Sequence, residues 1–234
     1  MVAQRMTVED LDWAVPQLAA RRAGLVPFAP VYWRPAPDAD QAHRRFLGHV
    51  LGSGGGLGFR TDDALMIAAP GGAGVWIIDD AAVPDGRWAE TGRLLWHALA
   101  REVPGQHVRF VCPVPERERT HFARHQGLTV QSSWWHVAVN QVRAPTADAS
   151  PHIGGATASL VQAPPVYDPG GPVLFLTDVT APEVALTAAR AEAERLGTPV
   201  VVVDQPSTDS DLGVGLGAGG FHRHCDFYVG AFPS

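Results

Sequence analysis

Two adjacent carboxylates, Asp79 and Asp80, close the apolar run 74–80. A carboxylate packed against Trp76 has its charged form disfavoured, and such a group can serve as a general base, directly or through a water. The competing reading has one Asp capping the strand end and the other facing solvent. His136, just after Trp134-Trp135, is a second acid–base candidate, set against a hydrogen-bonded core histidine. The residues Ala82-Val83-Pro84-Asp85-Gly86-Arg87-Trp88-Ala89-Glu90-Thr91-Gly92 then lead into a helix predicted over 87–102. A helix start exposes unpaired N–H groups at the positive end of its dipole, so it suits a phosphate. Arg87 can add a charge-assisted contact, and glycine lets backbone approach closely. Glu90 opposes an anion there unless it points away. Tyr32-Trp33-Arg34 offers aromatic faces and a guanidinium for a ligand with a flat or apolar body and a carboxylate. Equally, Trp33 anchors its loop to the core.

Other groups carry less. His222 and His224 share one face of a strand while Cys225 points to the other, and no second ligand cluster accompanies them, so no metal is expected. The stretch Gly215–Gly220 matches G-x-G-x-x-G but leads into a strand rather than a helix. It reads as a flexible stretch. Cys112 and Cys225 read as buried thiols.

The elements that position these groups occur twice. The first copy is a strand ending at Asp79-Asp80, a helix over 87–102, a strand over 108–114, a short helix over 116–126, Gly127-Leu128, and a strand closing in Trp134-Trp135-His136-Val137. The second is a strand ending at Thr177-Asp178, a helix over 182–196, a strand over 200–204, a degenerate turn or short helix, Gly220-Phe221, and a strand closing in Phe227-Tyr228-Val229. Each aromatic pair begins at the same offset from its glycine, which is read as a duplication. Ahead of the first copy stand a helix opened by Thr7–Asp10 and containing Pro16, a second helix over 40–51, and a hairpin of 57–60 with 64–69. The run 74–80 is apolar enough to be covered on both faces. Residues 144–150 read as a linker. In the second copy Thr180 and Glu183 suggest a capping box, Pro182 a first-turn position and Gly197 a helix stop. The second copy lacks the two early helices, so the expected organisation is a full unit over 1–143 and a truncated unit over 151–234.

This order and the Pro84…Arg87…Gly92 loop resemble the GCN5-related N-acetyltransferase superfamily. The step Phe122…Gly127-Leu128 resembles a second feature of that family, and Trp134-Trp135-His136 resembles a variant in its actinobacterial members. The resemblance implies an α/β (α+β) fold with a mixed, mostly antiparallel sheet flanked by helices. It implies acetyl-CoA as co-substrate, its diphosphate held by 82–92, with no metal. It further implies direct acyl transfer to a small-molecule amine, with Asp80, Asp79 or His136 as base and N–H of Ala82 or Val83 polarising the carbonyl. Tyr32, Trp33 and Arg34 would line the acceptor side. The chain departs from the family where Trp88 and Glu90 replace glycines and where Ala123 replaces a tyrosine used as general acid. His121 and His125, one helical turn apart, are candidates to replace that tyrosine. A non-catalytic scaffold and a transferase using aminoacyl-tRNA are the alternatives.

The chain has 234 residues and net charge −6, and all 18 of its fixed cations are arginines. This balance disfavours non-specific nucleic-acid binding, which needs a basic face. No apolar run spans a bilayer and no signal peptide is recognised, so a cytoplasmic location is expected. A homodimer is left open.

Overall fold

The computed structural model describes residues 2–140 and 150–234. The expected linker lies almost wholly outside them. The chain forms two compact units: Met1–Gly24, Asp40–Gln131 and Asp226–Ser234 make unit 1, and Leu25–Ala39 with Ser132–Cys225 makes unit 2. The contiguous division at 143–151 is therefore corrected. Strands Thr129–Ala138 (β7) and His222–Ala231 (β11) each begin in one unit and end in the other. The closing strand of each sequence copy thus completes the other copy's unit.

Unit 1 starts with the short strand Gln4–Arg5 (β1) and helix Leu11–Leu25 (α1), which carries Pro16 inside it. The Asp10 carboxylate accepts the Thr7 N–H at 2.9 Å, the reciprocal half of the capping box expected there. Helix Ala39–Gly52 (α2) follows, then strands Leu57–Arg60 (β2), Leu65–Pro70 (β3), Trp76–Ile78 (β4) and Ala81–Ala82 (β5). A π-type turn, Trp88–Gly92, opens helix Arg93–Glu102 (α3). Strand His107–Pro113 (β6) and helix Arg117–His125 (α4) complete the set. The sheet order is β1-β2-β3-β4-β6, continued by the 226–231 part of β11 and the start of β7. One core packs Trp88, Trp96, Phe110, Phe122, Tyr228 and Phe232 beneath α3. A second packs Leu11, Leu18, Leu47, Leu65 and Ile67 beneath α1 and α2. Of the run 74–80, Ile78 is buried but Trp76 and Ile77 are only half-buried, because Ile77 lines an open groove. The expectation of cover on both faces is corrected to that extent.

Unit 2 orders the 222–225 part of β11, the 132–138 part of β7, Val200–Pro206 (β10), Val173–Thr177 (β9) and Thr157–Val161 (β8). Helix Pro182–Leu196 (α5) packs one face through Leu186, Ala189 and Ala193. Pro182 opens α5 and Gly197 ends it with φ 69°. The Thr180–Glu183 capping box is absent: the helix starts after Ala181, and the Thr180 hydroxyl donates to the Gly155 carbonyl at 3.2 Å. Residues 215–218 are helical rather than flexible, within Ser210–Ala218 (α6). Asp209 caps the Leu212 N–H at 2.9 Å, and Leu212 and Leu216, one turn apart, are buried, which offsets the glycine cost. The other face of the sheet is covered by Val31 and Tyr32, packed with Val173, Phe175, Val200 and Val202. Among the described residues no helix is long and apolar enough to cross a membrane.

Candidate active site

The site of unit 1 begins with a register shift. Ala69 opposes Ile77, but Met66 opposes Ala81. Two residues of β3 therefore face three residues, Ile78, Asp79 and Asp80, and the extra residue makes a β-bulge. The Ile67 N–H reaches past it to the Asp80 carbonyl at 2.8 Å. Strands β4 and β6 are parallel, and their pairing stops at Ile78 opposite Phe110. Beyond that point 81–82 pair with β3 alone, while β6 continues to Pro113. Two parallel strands that part leave backbone groups in need of partners.

Arg119 supplies them. Its side chain is wholly buried, and its guanidinium donates to the carbonyls of Ile78 (3.3 Å), Asp79 (2.9 Å) and Ala81 (3.3 Å). Glu116 balances that charge at 3.4 Å and is itself gripped by the Arg21 fork at 2.6 and 3.1 Å. Burial opposes ionisation of Glu116, yet Arg21 and Arg119 outweigh it and hold its carboxyl below the usual range.

Asp79 and Asp80 differ. The Asp79 side chain is 62% exposed, with Arg21 at 3.9 Å. Asp80 accepts a hydrogen bond from His43 Nε2 at 3.0 Å. Burial works against its charge, but the His43 hydrogen bond, with Arg21 and Arg119 nearby, keeps its carboxyl below the usual range. His43 Nδ1 accepts from Arg22, and Arg22 is paired with Asp40 at 2.7 Å. Sequence reading missed Arg21, Arg22, His43, Glu116 and Arg119. The signals available were the 116/119 spacing, one helical turn, and a histidine on the apolar face of α2, one turn from Ala39 and from Leu47.

The loop after the bulge ends in the π-type turn. The N–H groups of Glu90, Thr91 and Gly92 all donate to the Arg87 carbonyl, at 3.2, 2.8 and 3.2 Å. Trp88 turns inward against Phe110 and Phe122, while Glu90, 78% exposed, turns outward. Arg87 donates to the Thr91 hydroxyl at 3.0 Å and faces Asp63 at 3.4 Å. The Gly86 N–H donates to the Glu118 carboxylate at 2.7 Å, so this loop already holds an anionic group supplied by α4.

Solved structures share this architecture. A tandem GNAT protein from the clavulanic acid biosynthesis pathway superposes with TM-score 0.52 and 14% identity, over 99% of this chain and 98% of that one. A GCN5-related N-acetyltransferase from Sphaerobacter thermophilus gives 0.52 and 13%, over 100% and 96%. A candidate acetyltransferase from Thermoplasma acidophilum gives 0.56 and 12%, over 100% of each. The fold is that of the GCN5-related N-acetyltransferases. No family profile and no curated protein matches the sequence.

Within this acetyltransferase fold, Asp79, Asp80 and 82–92 all belong to unit 1. The expected tyrosine position, Ala123, is buried, and His121 and His125 are exposed, their rings 4.1 Å apart. A groove of about 600 Å³ lies at the starts of β4 and β6, away from the bulge, lined by Val75, Ile77, His107, Arg109, Gln131 and Val229 among others. None of the sequence-predicted site residues lines it.

Tyr32, Trp33, Arg34 and His136 belong to unit 2. Trp33 is buried with Leu25 and Ala29. Arg34 Nε donates to the Asp168 carbonyl at 2.6 Å, tying its loop to 164–168. His136 Nδ1 donates to the His222 carbonyl at 3.0 Å, and burial lowers its pKa to about 4. That histidine is neutral near pH 7 and does not titrate there.

Proposed function

We propose that the chain is an acyl-CoA-dependent N-acyltransferase, with acetyl as the simplest donor group and a small-molecule amine as acceptor. Unit 1 is the working unit. One observation carries the reading: a bulge bearing Asp79 and Asp80, at the point where β4 and β6 part, runs directly into a loop whose Gly86 amide engages an anion. The Glu118 carboxylate stands in for a phosphate oxygen and tests the fit. The Arg87 guanidinium and the amides of Gly86, Trp88 and Ala89 would hold the diphosphate of coenzyme A, the Arg87 amide already donating to the Pro84 carbonyl at 3.0 Å. The coenzyme supplies a thioester carbonyl for the amine to attack.

Asp80 holds the acceptor. A carboxylate below its usual pKa is a weak proton acceptor but a persistent anion. It attracts the acceptor as an ammonium and orients a water that passes one proton on to solvent. The neutral amine then bonds the thioester carbon as the C–S bond breaks, and the remaining surplus proton on nitrogen goes to the departing thiolate. Exposed Asp79 adds to the negative field at the mouth. The low identity of the solved relatives leaves the chemistry to the side chains, and these favour transfer without a covalent enzyme intermediate: Cys112 is buried, with its thiol pushed up to about 12 by burial.

A second reading is a non-catalytic protein that retains the fold. Arg119 favours it, because its guanidinium already engages the carbonyls exposed where the strands part. Thermal shift with acetyl-CoA separates the two, since a ligand bound to the native state raises apparent stability by mass action. The transferase reading expects stabilisation that Arg87→Glu abolishes. Absence of any shift with acetyl-, propionyl- and malonyl-CoA would leave the scaffold reading.

A further inference from the structure

We propose that His43 and Arg22 are positioning residues for Asp80: Arg22 fixes the tautomer of His43, and His43 occupies Asp80 Oδ1 so that Oδ2 is presented to the acceptor. This deepens the transferase reading and rests on it for the acceptor alone. The geometry is a chain of four side chains. Asp40 Oδ1 accepts from Arg22 Nη2 at 2.7 Å, Arg22 Nη1 meets His43 Nδ1, and His43 Nε2 meets Asp80 Oδ1 at 3.0 Å.

Protonation follows from chemistry. A guanidinium has only donors, so Arg22 forces Nδ1 of His43 to accept. A neutral imidazole that accepts at Nδ1 carries its proton on Nε2 and donates it to Asp80. With Nδ1 occupied by the Arg22 donor and Nε2 by Asp80, the ring of His43 is fixed in direction. The side chains of Arg22 and His43 are each 5% exposed and that of Asp80 18%, so water does not substitute for these bonds. Arg22 and His43 come from α1 and α2, and the acceptor-binding carboxylate from the bulge, so three elements are locked to one oxygen.

Other charged groups face Asp80. Arg21 from α1 and Arg119 from α4 lower its pKa, Glu116 stands behind both arginines, and Asp79 is its neighbour. Their presence sets the test: removing the His43 donor must move Asp80 while the arginines stay in place. Glutamine offers a donor and an acceptor on one group and can replace the imidazole between Arg22 and Asp80. Leucine can do neither.

The experiment is carboxyl ¹³C titration of the full chain labelled at aspartate, for wild type, His43→Gln, His43→Leu and an Asp80→Asn assignment control. Asp80 is expected to titrate below the ordinary range in wild type and in His43→Gln. In His43→Leu it is expected to rise by about one pH unit. The acidic limb of the kcat/KM profile for acyl transfer to an amine is expected to move by the same amount. An unchanged Asp80 titration in folded His43→Leu overturns the proposal, as does a His43→Gln titration that matches His43→Leu. If Asp80 moves as expected but no acyl-CoA is used, the positioning stands and the transferase reading falls.

Discussion

Glu118 and Gly86 meet at 2.7 Å, carboxylate to backbone N–H, on the loop that opens α3. An anion site that a protein fills with its own carboxylate binds an external anion in competition with it. Glu118→Gln is therefore expected to tighten acetyl-CoA binding by roughly tenfold, about 1.4 kcal/mol. Isothermal titration of both proteins checks this. Weaker binding would show that Glu118 supports the loop rather than competing for it.

Arg119 is the most heavily engaged side chain around the bulge. Arg119→Met keeps apolar bulk but leaves Glu116 with one arginine and takes the guanidinium from the carbonyls of Ile78 and Ala81, while the Asp79 carbonyl keeps Arg21 and the Ala81 N–H, each at 3.1 Å. Breaking a buried ion pair from one side costs about 3–5 kcal/mol. Urea denaturation should show a loss in that range. A loss under about 1 kcal/mol would mean that water enters and satisfies the carbonyls.

Gly92 sits under Trp88. A Cβ there would lie 2.8 Å from the indole ring, which is held between Phe110 and Phe122. Gly92→Ala should destabilise by about 1–3 kcal/mol through overpacking, and near-UV circular dichroism should report a displaced tryptophan. An unaltered spectrum with full stability would contradict this account of the glycine.

His136 predicts a pH dependence. Its pKa falls from the usual 6.5 to about 4 on burial, so the unfolded chain binds more protons than the folded one between those values. Stability conferred by the neutral ring is complete above pH 6.5 and drains as pH falls toward 4, with a slope of up to about 1.4 kcal/mol per pH unit. His136→Asn should flatten this region of a stability–pH curve. The slope surviving unchanged would place the proton uptake elsewhere, and buried His224, lowered in the same sense, is the next group to replace.

Much of this was readable beforehand, for physical reasons that differ by element. Pro182 and Gly197 mark the ends of α5 because each restricts or frees a backbone angle locally. The loop from Pro84 to Gly92 is legible only through its resemblance to the loop of the GCN5-related N-acetyltransferases. By contrast, the partners of Asp80 come from residues 22 and 43, and those of the bulge carbonyls from residue 119. Such long-range pairs leave no periodic trace in one sequence. The helix over Ser210–Ala218 was missed because its glycines weigh against a helix, while the burial of Leu212 and Leu216 depends on the folded unit.

Residues 226–234 belong to unit 1, some ninety positions after the rest of it ends at Gln131. During synthesis unit 1 therefore stays incomplete until the chain has been made as far as residues 226–234. A stop codon placed after residue 225 would spare every carboxylate and arginine of the bulge, yet it would leave Trp96 facing the gap left by Phe232, whose ring it meets at 4.6 Å.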